Sequence, residues 1–234
     1  GHAGLLKGEW NRSLLVGNEL RNKTLGVVGL GKIGREVIKR SLSYDMHILG
    51  YDPYINKNQF NKEEIEVVEL DYLVEHSDFI TLHLPINDTT RNLFDYDRIL
   101  KMKKSARLIN VARGGIINEN DLSKALNEKI IAGAAIDVFE NEPITIDNSL
   151  VTSDNILLTP HLGASTVEAK EGVTASICQQ MIDYFSKNKL TNALNIPISD
   201  PNLLNKLSSY YELAELMGIL QFQIIDTSIE KIEE

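Results

Sequence analysis

The chain has 234 residues, 43 % of them hydrophobic and 24 % charged, with a formal net charge of -9, values that suit a globular protein and exclude a fibre or a disordered tail. The acidic balance gives no field that would recruit nucleic acid or an anionic membrane, although amides at a helix start can still hold a phosphate locally. One cysteine, Cys178, excludes an internal disulfide or a thiolate metal site. Together with charge-broken apolar runs and no signal-peptide features in residues 1–6, it sets the expectation of a cytoplasmic protein with no membrane and no nucleic-acid partner.

Residues 7–20 hold Trp10 and a Leu14, Leu15, Val16 cluster and read as a helix and loop leading into the first strand. From there a unit of apolar run, loop and helical pattern recurs. Strands are expected over 25–29, 47–51, 66–68, 79–84, 108–111, 133–138 and 156–158. Helical segments are expected over 33–43, 70–75, 99–102, 119–126 and 166–188, with Ser165 or Thr166 as the cap of the last. Strands alternating with helices argue for the α/β class: a Rossmann-type, doubly wound parallel sheet in three αβα layers. The NAD-binding domain is placed at 7–192 and a polar, proline-containing linker at 193–201. The remainder, 202–234, is the start of an intervening domain or a packed appendage, with a helical period over 203–218 and a strand-like alternation over 222–232.

Gly29-Leu30-Gly31-Lys32-Ile33-Gly34 spells G-x-G-x-x-G between the first strand and the first long helix. The string alone is weak, but its place gives the glycines distinct roles, namely a tight turn, room for a pyrophosphate at the backbone, and a close helix–sheet approach. Asp52 ends the second strand, where a carboxylate can take the ribose hydroxyls of an adenosine. Its charge disfavours a 2'-phosphate, and Pro53-Tyr54 offers no compensating arginine, so NAD is expected over NADP.

Ligands in an open α/β sheet collect at the carboxyl ends of the strands. Arg113, followed by Gly114 and Gly115, suits a planar carboxylate or phosphate, against the reading of a surface arginine in an ordinary ion pair. His161 is the leading acid–base candidate because histidine titrates near neutrality, and Glu142 could hold its other ring nitrogen. The competing reading has His161 start the following helix and pack quietly. His76 and His83 fit structural roles, with His76 at a helix end. Asp137 is expected to face the nicotinamide rather than a metal, since no further ligands stand at metal-site spacing.

The stretches VVGLGKIGREV with GYDP, HLPINDTTRNL, INVARGGIINENDLSKAL, GAAIDVFENEP and TPHLGASTVEA cover most of residues 7–192. On them the chain resembles the D-isomer-specific 2-hydroxyacid dehydrogenases. The resemblance implies NAD-dependent oxidation of a 2-hydroxy acid, with Arg113 on the substrate carboxylate, Glu142 as the acid of a dyad and His161 as its acid–base histidine. It implies a cofactor set of Gly29, Gly31, Lys32, Ile33, Gly34, Asp52, Leu84, Pro85, Ala112, Arg113, Asp137, His161, Gly163 and Ala164. It also implies a homodimer or higher homo-oligomer in which the segment near Trp10 reaches over the partner; Trp10 covering its own core is the alternative. Family members carry about a hundred further residues ahead of this domain, so the chain is expected to be a truncated piece that binds NAD and turns over poorly alone. Two rival readings keep the fold, an NADH-sensing corepressor-like protein and a structural remnant.

Overall fold

The runs TLGVV, FITL, RLIN and GAAI place apolar or small residues at successive positions, so that both faces of each strand can be buried. In the computed structural model, which describes residues 1–55, 60–61, 64–187, 189–193 and 201–224, they form the centre of a parallel sheet. Among the described residues the sheet has seven strands: β1 (Thr24–Val28), β2 (His47–Tyr51), β3 (Glu66–Val67), β4 (Phe79–Leu82), β5 (Arg107–Asn110), β6 (Gly133–Ile136) and β7 (Ile156–Leu158). Their order is β3-β2-β1-β4-β5-β6-β7. The register sets Val28 beside Tyr51 on one side and Leu82 on the other, and Leu82 beside Asn110. The carboxyl ends therefore finish together, and the order reverses between β1 and β4, where a crevice opens.

The helices are α1 (His2–Leu5), α2 (Lys32–Leu42), α3 (Leu70–His76), α4 (Tyr96–Leu100), α5 (Glu119–Asn127), α6 (Val167–Lys187) and α7 (Pro201–Ile224). On one face of the sheet α2 packs Val37, Ile38 and Leu42 against Leu25, Val27 and Ile48. On the other, Leu73, Val74, Ile99, Leu122, Ala125 and Leu126 from α3, α4 and α5 pack against Val28, Ile80, Leu82, Leu108 and Ile136. Leu122, Ala125 and Leu126 follow one helical stripe, and each leucine so buried contributes about 1.5–3 kcal/mol. Asn118 caps α5 by accepting the Asp121 amide at 3.1 Å, and Asp95 caps α4 by accepting the Arg98 amide at 2.9 Å. The latter cap explains why α4 starts at Tyr96 instead of 99.

Ahead of β1, where a helix and loop are expected over 7–20, the chain has only a 3-10 turn at Arg12–Leu14, and the short α-helix α1 lies before that span. Gly8, at φ +78°, takes the left-handed conformation that ends a helix. Trp10, Leu14, Leu15 and Val16 are 79, 80, 59 and 87 % exposed, so this segment does not cover the chain's own core.

The chain divides into two compact units, Gly1–Ala164 and Ser165–Glu234, a division that falls inside the expected 7–192 span. In the second unit Thr166 caps α6, its hydroxyl accepting the Ala169 amide at 3.0 Å. Of the expected linker, residues 194–200 lie outside the described residues, and Pro201 is the first residue of α7, a position where its missing N–H costs nothing. The helical expectation over 203–218 holds, but Phe222–Ile224 end α7 instead of opening a strand. Two alternate apolar residues fit either period, and continuation of the helix decides between them; 225–232 lie outside the described residues. No helix among the described residues is long and apolar enough to cross a membrane.

Candidate functional site

Beyond β1 the chain turns at Gly29, whose φ of +100° lies in the left-handed region; a β-carbon there would also meet the carbonyl oxygen of His83 at 2.5 Å. Gly34, in the first turn of α2, lies so close beneath that its β-carbon would stand 2.0 Å from the Gly29 carbonyl oxygen. Gly31 is the opposite case, with nothing within 4 Å of its β-carbon position. No side chain among the described residues caps α2. The amides at the start of an 11-residue helix thus open onto clear space, as an anion-binding turn requires. Two of the three glycines are demanded by the fold; at Gly31 the fold itself leaves room for a side chain.

Asp52 stands beside this turn. One carboxylate oxygen accepts the Leu30 amide and the other the Tyr54 amide, each at 3.0 Å. The backbone therefore fixes the carboxylate against the glycine turn, and each oxygen keeps a second lone pair for a hydroxyl donor. Asp52 lines a hollow of about 360 Å³ with Gly31, Tyr54 and Pro85. A second, of about 400 Å³, is lined by Ile33, Leu84, Pro85, Ala112 and Arg113. A third, of about 270 Å³, holds Arg113, Glu142 and His161. Neighbouring hollows share His83, Leu84 and Pro85, then Ile86 and Arg113, so they form one groove across the strand ends. A string of small connected hollows suits an extended ligand better than a compact one, and with the open amides at Gly31 and the fixed Asp52 it fits a dinucleotide.

The arginine turn is built by Asn110, only 2 % exposed. Its amide nitrogen donates to the Arg113 carbonyl at 2.9 Å and its oxygen accepts the Ala112 amide at 3.1 Å. The Arg113 guanidinium is exposed, with one nitrogen donating to the Ala112 carbonyl at 2.6 Å; the planar fork retains further donors for an anion.

His161 does not begin a helix. It sits in a turn at φ +53°, with Nδ1 at 2.8 Å from Glu142 Oε2, which leaves Nε2 as the nitrogen available to a ligand. Glu142 Oε1 accepts the Phe139 amide at 3.0 Å. The His161 hydrogen bond, the Phe139 amide and the His161 charge hold the Glu142 carboxyl below its ordinary value, against burial and the charge of Asp137. Asp137, 5 % exposed, is the buried anchor of the histidine turn. It accepts the Thr159 hydroxyl at 2.5 Å and the Leu162 and Gly163 amides at 2.8 and 2.9 Å. Burial pushes its carboxyl up, but those three bonds and the His161 charge outweigh it and leave the group below its ordinary value.

The sequence candidates therefore separate. Arg113, Glu142 and His161 meet in one hollow. Ile33, Leu84, Pro85 and Ala112 wall the groove, Asp137 and Gly163 fasten the histidine turn, and Lys32 and Ala164 are exposed outside these walls. His76 ends α3, stacked on Tyr72 with ring centroids 3.9 Å apart. His83 lies in the groove wall with Nε2 3.0 Å from the Thr81 hydroxyl, and burial lowers it to about 4. Sequence reasoning misses Asn110 and Thr159 as builders of the site; both follow or end a strand, where a short polar side chain is a signal for a shaped turn. Among the described residues no three His, Cys, Asp or Glu side chains gather to hold a metal.

Comparison with known proteins matches residues 1–163 to the family described as D-isomer specific 2-hydroxyacid dehydrogenase, NAD binding domain. Over 232 residues the chain is 43 % identical to a D-3-phosphoglycerate dehydrogenase of Methanocaldococcus jannaschii, covering 99 % of this chain and 44 % of that protein. The chain thus spans less than half the length of that relative. Among solved structures, an NAD-dependent formate dehydrogenase from Staphylococcus aureus in complex with NAD is 34 % identical, with a TM-score of 0.73 over 82 % of this chain and 58 % of that one. A glyoxylate reductase from Paecilomyes thermophila is 29 % identical, with a TM-score of 0.74 over 83 % and 58 %.

Proposed function

The chain belongs to the D-isomer specific 2-hydroxyacid dehydrogenases, through their NAD-binding domain, and from that premise we propose that it is the cofactor half of an NAD-dependent D-3-phosphoglycerate dehydrogenase. The reaction would be oxidation of D-3-phosphoglycerate to 3-phosphohydroxypyruvate, the entry to L-serine formation. The choice within the family rests on likeness to a relative of that name at 43 % identity. The observation that carries the reading is the His161–Glu142 hydrogen bond of 2.8 Å in the same hollow as Arg113, at the end of the groove that begins at Asp52.

NAD, when bound, supplies the acceptor for the hydride leaving C2 of the substrate. The start of α2 and Gly31 would hold its pyrophosphate, Asp52 its adenosine ribose, and Ile33, Leu84, Pro85 and Ala112 the path between. Arg113 would clamp the substrate carboxylate and fix C2 in place. His161 Nε2 would take the C2 hydroxyl proton as the carbonyl forms. Glu142 on Nδ1 sets the tautomer that leaves Nε2 free to accept, and balances the imidazolium that results. Asp137 holds the histidine turn in register. The exposed Trp10, Leu14, Leu15 and Val16 suit packing against a second copy, so a homodimer or higher homo-oligomer is part of the reading.

Replacing His161 by Ala in the full-length protein should lower kcat by about 10²–10⁴-fold while NAD affinity, read by calorimetry, stays as it was. Loss of NAD binding with the rate retained would overturn the assignment.

A further inference from the structure

The Glu142–His161 pair is held from one side by Asp137, which fixes the histidine turn. What fixes the glutamate side is less obvious, because Glu142 lies on an exposed loop that runs on from β6. Hydrogen bonds joined by one peptide step of the main chain lead outward from the pair. His161 Nδ1 meets Glu142 Oε2 at 2.8 Å, and Glu142 Oε1 accepts the Phe139 amide at 3.0 Å. The next amide, that of Glu140, donates to Glu119 Oε1 at 2.7 Å, and Glu119 Oε2 accepts from Asn148 Nδ2 at 2.5 Å. Glu119 is the first residue of α5, an element rooted in the core through Leu122, Ala125 and Leu126.

Glu119 is an acid of the first turn of α5, where its charge suits the helix dipole, but it does not cap the helix. Capping of α5 is done by Asn118, and the other acid of the first turn, Asp121, accepts the Tyr96 amide at 3.1 Å. The carboxylate of Glu119 instead turns away from its own helix and grips the main chain of the loop two residues before Glu142. Phe139, 5 % exposed, and its backbone contact with Gly114 root the start of the loop; past Phe139 the other side-chain fastening, Arg91 to the Glu140 side chain at 3.2 Å, is about half exposed on both partners, and such pairs hold little. A charge-assisted bond to a backbone amide is the stronger tether.

We propose that Glu119 is a positioning residue for the Glu142–His161 pair: by holding the Glu140 amide to the start of α5 it sets where the Glu142 carboxylate meets the imidazole. Its effect on turnover rests on the dehydrogenase reading above; its effect on the geometry of the pair does not. Loss of the tether lets the loop drift, and a displacement of about 1 Å at such a site costs up to roughly 100-fold in rate.

The test uses the full-length protein with Glu119→Ala and Glu119→Gln. Glutamine keeps an acceptor for the Glu140 amide, while alanine keeps none. The proposal expects kcat to fall about 10–100-fold in the alanine variant, in line with the loss of groups that orient reacting ones, with KM, NAD affinity and Tm close to wild type. It expects the glutamine variant to recover most of the rate. The second readout needs no turnover: the proton NMR signal of the His161–Glu142 hydrogen bond, assigned by its disappearance in His161→Gln, should broaden or vanish in Glu119→Ala and persist in Glu119→Gln. An unchanged signal and kcat in the alanine variant would overturn the proposal. So would losses of Tm, NAD affinity and rate that glutamine fails to restore. Should the wild-type protein oxidise no 2-hydroxy acid, the dehydrogenase reading falls, and the NMR comparison alone decides the role of Glu119.

Discussion

Gly114 and Phe139 meet backbone to backbone: a β-carbon on Gly114 would fall 1.8 Å from the Phe139 carbonyl oxygen, with Glu140 N at 2.6 Å. The turn that carries Arg113 and the loop that carries Glu142 are thereby pressed together with no side chain between them. The spacing between Arg113 and the Glu142–His161 pair, the proposed substrate clamp and acid–base pair, is thus set in part by main-chain contact.

Gly114→Ala must therefore push one of these loops aside. On the proposed dehydrogenase reading, kcat/KM of the full-length protein is expected to drop by about 100-fold, the usual cost of a displacement near 1 Å, with NAD affinity altered much less because Asp52 and Gly31 lie at the other end of the groove. Steady-state kinetics and calorimetry on the same preparation check this; an unchanged kcat/KM would contradict it.

Gly31 and Gly34 should part company under the same substitution. Gly31→Ala meets nothing within 4 Å, so Tm should stay constant while NAD affinity falls at least about 10-fold, the new methyl lying where the proposed site places the pyrophosphate. Gly34→Ala puts a β-carbon 2.0 Å from the Gly29 carbonyl oxygen and should destabilise by about 1–3 kcal/mol. Thermal unfolding and NAD titration of both variants separate the two roles.

His83 gives a pH signature. Burial lowers it from 6.5 to about 4, so between those values the unfolded chain takes up a proton that the folded chain refuses. Stability accordingly falls as pH drops from about 6.5 to 4, by on the order of 1–3 kcal/mol after allowance for partial exposure. His83→Gln removes that term. Denaturant unfolding at both ends of the window should show a flatter pH dependence in the variant than in wild type.

Asp137 acts in the same direction, in a more acidic window. Its folded value lies below the ordinary 3.8, so the stability it contributes is complete above that pH and is lost as pH falls through the folded value. Asp137→Asn would leave amides of the histidine turn poorly matched and cost about 1.5–3 kcal/mol at neutral pH. The gap between wild type and variant, measured by urea unfolding, should close in strong acid.

Much of this is legible in the residues. Apolar runs such as FITL and RLIN announce buried parallel strands, and the glycine turn with Asp52 marks the groove, because those signals are local in the chain. The neighbours of Glu142 are not legible: the contacts of Glu119 and Gly114 depend on where residues 139–143 come to rest, a tertiary fact with no period or spacing in the sequence. Asn110 reads only as a strand end, since nothing local says that both ends of its amide turn inward. The segment around Trp10 admits two readings in sequence, and its exposure in the fold excludes the one in which it covers the chain's own core.

A crystal structure of the full-length protein with NAD bears on all of these roles at once. The pyrophosphate is expected on the amides at Gly31, the adenosine ribose hydroxyls on Asp52, and the nicotinamide at the end of the groove that holds His161 and Arg113. NAD bound elsewhere, or bound with its ribose turned from Asp52 and its nicotinamide away from His161, would contradict the assignment of this groove as the cofactor site.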